Sequence, residues 1–364
     1  MPGLFKQSLR NFHRPEKDES WCRIAHHGLF FLRKVVLLFF VACHINTKSS
    51  SVFATNRQPI ADMKYPPISS YRDPAKWPFA SDSPWNTPIG NDASYEQANA
   101  PCTSSLISDS EGAWINSEEW SHPIYHATVH DPIVAIYRDG VEKIRINIPA
   151  SAKAALPNES DAHMHIIDPT GQFVVEMWHA FPRPAGGWNV EYYVRTDLYG
   201  PGVLAGGARA YGGSALGGLI RIGELVRGIR HALAIAQPYS HLWPDGPVWP
   251  ANKMDEDGKS NYSGHYPMGQ LAAIAPGINL AALNPPLSPQ GLAIGRAMQD
   301  FGVYNVDASG ASAIYVEPAA SHELGEARND LPRLWALMRC VTNNSPTRIG
   351  GAGTIRRAPL APPL

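Results

Sequence analysis

The stretch HMHIIDPTGQFVVEMWH, residues 163–179, reads as a tight β-hairpin. Asp168-Pro169-Thr170-Gly171 is turn chemistry: Pro pre-sets φ, Asp caps its own backbone and Gly takes a positive φ. With those four residues as the loop, Ile167 faces Gln172, His165 faces Val174 and His163 faces Glu176. Strand side chains alternate, so His163, His165, Gln172, Glu176 and Trp178 share one face. Two imidazoles, a carboxylate, an amide and an indole make a poor core. They fit an acid/base, metal or sugar site.

Working outward, hairpins are expected at 134–137 with 141–148, around Arg138-Asp139-Gly140, and at 303–307 with 313–317. Residues 188–195 alternate as one further strand. Residues 229–236 (IRHALAIA) read as a strand buried on both sides, carrying His231. Residues 200–218 are Gly-rich, as in a close-packed loop beside a site, but lack the order of a dinucleotide fold. Helices are expected from Ser288-Pro289 to Gly302 and over Leu331–Cys340.

The 364 residues suffice for one large β-rich domain, and 31 Gly, 33 Pro and only 17% charged residues suit loop-rich β structure. The expected class is mostly β: an antiparallel β-sandwich or jelly-roll-like domain with one or two packed helices. Arg33-Lys34, the apolar run 35–42 and the small Ala54 mark residues 1–54 as a targeting segment. Residues 55–75 then form a Pro-rich linker, 76–345 a single β-rich domain and 346–364 a flexible Gly/Pro-rich tail. The implied location is secreted or periplasmic, with lipid anchoring at Cys43 as an alternative. The apolar run is too short to span a bilayer, so no transmembrane span is expected in the mature chain. Without residues 1–54 the chain keeps 23 basic and 29 acidic residues, a poor match for nucleic acid. Cys102 and Cys340 are then the surviving pair, expected as a disulfide.

SPWN (83–86), the His163–Asp168 and Glu176 hairpin, GGLIR (217–221), IRHALAIA (229–236), PMG (267–269) and RAMQDFGVYNVD (296–307) resemble segments of a group of secreted bacterial proteins. The resemblance implies one continuous exported domain and assigns no chemistry. The His163-x-His165 and Glu176 pattern also resembles cupins, whose metal site has His-x-His and Glu on a hairpin. Here Glu176 lies farther from the second His than in cupins, and the Gly before the first His is missing.

The expected catalytic group is His163, Glu176 and His231, with Glu and His in acid/base roles. Gln172, Trp178, Arg221, Trp243 and Trp249 are candidate substrate contacts, the tryptophans because flat rings stack on sugars. No cofactor is expected on this reading. The alternative is a divalent metal on His163, His165 and Glu176. The function expected is a secreted carbohydrate-active enzyme acting on a polysaccharide, with β-elimination favoured because no second catalytic carboxylate stands out. A non-catalytic glycan-binding or envelope protein, a glycoside hydrolase and a cupin-like metalloenzyme are the alternatives.

Overall fold

The computed structural model describes residues 70–157 and 160–364. The expected targeting segment, Cys43 and most of the Pro-rich linker lie outside them. All described residues belong to one compact unit, Asp62–Leu364.

Three sheets organise this unit. The central one has six strands in the order Trp114–Asn116, Ala313–Tyr315, Leu233–Pro238, Val303–Ser309, Leu271–Ile274 and Met338–Cys340. It is mixed: Leu233–Pro238 runs parallel to Val303–Ser309 and antiparallel to Ala313–Tyr315. The antiparallel expectation therefore holds only in part. The IRHALAIA strand starts four residues later than the expected 229–236 and leaves His231 outside it; Leu233–Pro238 is covered on both faces, as the apolar run Leu233–Ala236 requires. Leu233 and Ile235 meet the helical side, where Ile294, Met298, Leu331 and Trp335 pack. Ala234 and Ala236 meet the opposite core, with Trp85, Tyr211 and Tyr304.

That central strand overturns one expectation. Residues 303–307 and 313–317 do not form a hairpin, because Leu233–Pro238 lies between them. A strand apolar on both faces is best covered in the middle of a sheet, and it displaces the local pairing. The helix from Ser288 is as expected: the Ser288 hydroxyl accepts from the Gly291 N–H and the helix runs Pro289–Asp300. The second helix is earlier than expected, at Ala327–Trp335. Met338–Cys340 instead pairs with Leu271–Ile274 as an edge strand.

The 134–137/141–148 hairpin forms, as Ile133–Arg138 with Val141–Asn147. Residues 188–195 do not form one strand. Trp188–Asn189 joins this third sheet, while Tyr192–Asp197 joins the second. Cys102 and Cys340 form a disulfide with Cα atoms 6.3 Å apart, tying the short helix Pro101–Ile107 to the edge strand. Residues 346–364 are packed rather than loose. Arg357 pairs with Asp300, Ala358 and Ala361 are buried, and the Pro363 carbonyl accepts from the Arg72 N–H. Gly350, Gly351 and Gly353 let the backbone pass close to residues 88–93. Among the described residues, no helix is long and apolar enough to cross a membrane.

Candidate functional site

The second sheet orders its strands Ile124–His126, Met164–Ile167, Phe173–Trp178 and Tyr192–Asp197. The 163–179 hairpin is present, but its pairing differs from expectation by two residues. Ile167 lies opposite Val174, and His165, not His163, lies opposite Glu176. The Asp168 N–H donates to the Phe173 carbonyl, so the loop is Pro169–Gln172. A shift of two preserves the face, so the alternation argument survives the change of register.

Glu176 is fully buried and spoken for. Its carboxylate accepts from the Thr196 hydroxyl at 2.7 Å, the Ser214 hydroxyl at 2.6 Å, the Ala215 N–H at 2.8 Å and the Ala208 N–H at 3.0 Å. Burial pushes its pKa up and the four donors pull it back, with a net upward shift. These contacts pin the Gly-rich 200–218 stretch onto the sheet. Glu176 is an anchor for that loop, with its acceptor capacity consumed by the fold.

The structure does not bring His231 to the hairpin cluster. Its Nε2 lies 3.0 Å from Glu224 and its Nδ1 2.8 Å from the Ala232 carbonyl. Burial lowers its pKa, but Glu224 more than offsets this and the net shift is upward. Arg221 is likewise engaged, donating to Glu317 at 2.8 Å and to the Ala75 carbonyl at 2.9 Å. Gln172 is exposed in the hairpin loop. Trp178 is half-buried, stacks on His179 and donates its Nε1–H to Asp161 at 3.2 Å. Trp243 and Trp249 are half-buried, and Trp243 lies against His265.

A different set converges on the face that carries His163 and His165. The strand Ile124–His126 runs parallel to Met164–Ile167, and the His165 N–H donates to the Pro123 carbonyl. This places His122 beside His165, with His122 Nδ1 2.8 Å from His165 Nε2. The His122 ring centroid is 4.3 Å from that of His163 and 5.1 Å from that of His165. All three rings are buried. Burial first, and then the Arg209 charge and the neighbouring imidazoles, holds His122 and His163 well below the ordinary histidine value. Burial with Arg209 and Arg221 brings His165 to about 3.

Tyr315 links this trio to a buried ion pair. Its ring meets His122 edge-on at 5.4 Å, and the Arg209 guanidinium carbon sits 3.7 Å over its centre. Arg209 Nη1 donates to Asp307 at 3.3 Å, while its Nε and Nη2 have no protein partner. The Arg209 side chain is 2% exposed and that of Asp307 21%. Burial raises Asp307 to about 7; Arg209 opposes this, and Asp255 and Asp161 add to it. Asp255 is itself raised by burial and receives the Tyr262 hydroxyl proton in a short hydrogen bond. Asp161 is exposed. Asp161, Asp255 and Asp307 are thus within electrostatic reach of one another, beside Arg209, Tyr315 and Trp178.

Sequence reasoning missed His122, Arg209 and Asp307. Arg209 is the one cation inside the Gly-rich GGARAYGG run, which was the available signal. Asp307 closes the quoted RAMQDFGVYNVD segment without any local mark of its role. No known protein family, curated protein or solved structure matches this chain.

Proposed function

We propose that this chain is a secreted hydrolase of an acidic polysaccharide, with Asp307 as proton donor and Asp161 as the second carboxylate. The observation that carries the reading is the Asp307 carboxyl itself. It is largely withdrawn from solvent beside Arg209, yet raised to about 7, so near neutral pH it retains a proton to give. A carboxyl raised toward neutral pH, with a second, exposed carboxyl group within electrostatic reach, offers the division of labour that glycoside hydrolysis needs. Both Asp161 and Asp255 accept a side-chain hydrogen bond, from Trp178 and Tyr262; Asp255 is the weaker candidate because it is half-buried, whereas Asp161 is exposed.

Arg209 adds the acidic preference. Its side chain is sealed in, so it acts on a bound uronate as a buried positive charge and not by direct contact, a charge that a neutral sugar does not use. The same charge favours a second reading, β-elimination, in which Arg209 offsets a uronate carboxylate while a neighbouring base removes the C5 proton, the C4–O bond breaks to leave a C4=C5 double bond, and the departing oxygen takes up a proton. Trp178 and Tyr239 supply flat rings near Asp161 and the acidic group. Incubation with polygalacturonate and alginate tests both readings. Hydrolysis releases new reducing ends without an unsaturated product. Elimination releases an ultraviolet-absorbing unsaturated uronate. Release of neither from these or from neutral glucans removes the catalytic reading.

A further inference from the structure

We propose that His122, His163 and His165 hold one divalent transition-metal ion of the zinc class. One nitrogen from each ring lies within 4.8 Å of the other two. Ligands on a tetrahedral zinc ion, each about 2.0–2.1 Å from it, are about 3.3–3.4 Å apart. Taking up an ion therefore spreads the 2.8 Å contact of His122 Nδ1 and His165 Nε2 and draws the most distant nitrogen in by up to about 1.5 Å.

Three independent features point the same way. The first is construction. His163 and His165 share a face by alternation, and the parallel pairing of Ile124–His126 delivers His122 to that face. The second is satisfaction. His163 Nδ1 is buried without a protein partner, and the nitrogens that His122 and His165 turn toward each other, Nδ1 and Nε2, meet at 2.8 Å, although buried polar atoms normally have partners of their own. A proton shared between His122 Nδ1 and His165 Nε2 serves only that pair and leaves His163 Nδ1 unmatched. The third is chemistry. Three imidazoles form an all-nitrogen donor set of the kind that holds zinc with a fourth position open.

Three imidazoles suit zinc, copper, iron or nickel rather than calcium or magnesium, which prefer oxygen. Glu176, expected as the third ligand, is replaced by His122 because Thr196, Ser214, Ala208 and Ala215 hold its oxygens. Among the described residues, the other close group of potential ligands, Glu96 with Cys102 and Cys340, is closed by the disulfide.

The proposal is independent of the hydrolase reading and is tested without an activity assay. The purified protein is analysed for metal, then stripped with chelator and titrated with Co²⁺ and Zn²⁺. The expected results are close to one ion per chain, a visible Co²⁺ ligand-field band displaced by Zn²⁺, and a lower Tm after stripping. His122→Gln should weaken Co²⁺ binding at least tenfold. Wild-type protein that acquires neither metal nor a Co²⁺ band overturns the proposal, whatever the variants do. So does a band that survives His122→Gln, His163→Gln and His165→Gln alike, because the ion then sits elsewhere.

Discussion

Arg209 Nη1 lies 3.3 Å from Asp307 Oδ2, although 98 residues separate them. The pair joins the Gly-rich loop to the second strand of the central parallel pair. It is also unequal: Arg209 is sealed in, while Asp307 keeps a small window to solvent. Arg209 is held between Asp307 and the Tyr315 ring, so its charge acts on Asp307 from inside the fold.

Asp307→Asn should lower kcat on the order of 10²-fold or more, the usual worth of a positioned general acid. The replacement keeps volume and a polar contact to Arg209, so the Tm should shift little below about pH 7 and fall above it, where wild-type Asp307 ionises against the buried Arg209. Steady-state kinetics alongside a melt separates the two effects.

Glu176→Gln should act on stability. The carboxylate accepts four protein donors, and an amide nitrogen presents donors back to at least one pair. A loss of about 2–4 kcal/mol is expected, given hydrogen bonds to charge of about 1.5–3 kcal/mol each and partial relaxation. Urea unfolding measures it. A variant that keeps wild-type stability yet loses turnover would return Glu176 to a direct chemical role.

Metal-free protein should lose stability as pH falls below about 6.5, the ordinary histidine value. The sign follows from the depressed values of His122, His163 and His165. In acid the unfolded chain binds protons at these rings while the folded protein does not, so protonation favours unfolding. For His165 the window extends down to about 3. His165→Asn should flatten this part of the pH–stability curve, read by denaturant titration across the range. Wild-type stability that is level between pH 6.5 and 4 would contradict the buried neutral trio.

Reduction of Cys102–Cys340, or Cys340→Ser, should cost on the order of 2–5 kcal/mol. The bond closes a loop of 238 residues, so the unfolded chain gains much freedom when it opens. Urea unfolding with and without reductant checks this.

Much of the local structure was legible because it rests on local chemistry. Turn residues and alternation placed the 163–179 hairpin and its polar face. Ser288-Pro289 marked a helix start, and IRHALAIA marked a strand covered on both sides. The register was misjudged because Asp168 continues the ladder to Phe173 instead of opening the loop. The site itself was only half legible. His163 and His165 are neighbours in sequence, but His122 reaches them through a parallel strand pairing 43 residues away. Arg209 and Asp307 meet only after the Gly-rich loop folds over the sheet. Such contacts have no periodicity to reveal them. Polar spacing drew His231 and Arg221 into the expected group, whereas Glu224 and Glu317 satisfy them elsewhere.

The pH–rate profile of kcat/KM on polygalacturonate or alginate oligomers, for wild type and Asp307→Asn, tests the central claim most directly. Asp307 as proton donor predicts new reducing ends from the wild type, with rates falling as pH rises through about 7. It also predicts that this limb vanishes in Asp307→Asn along with most of the rate. Asp307→Asn protein that turns over like the wild type, with the same alkaline limb, would contradict the account.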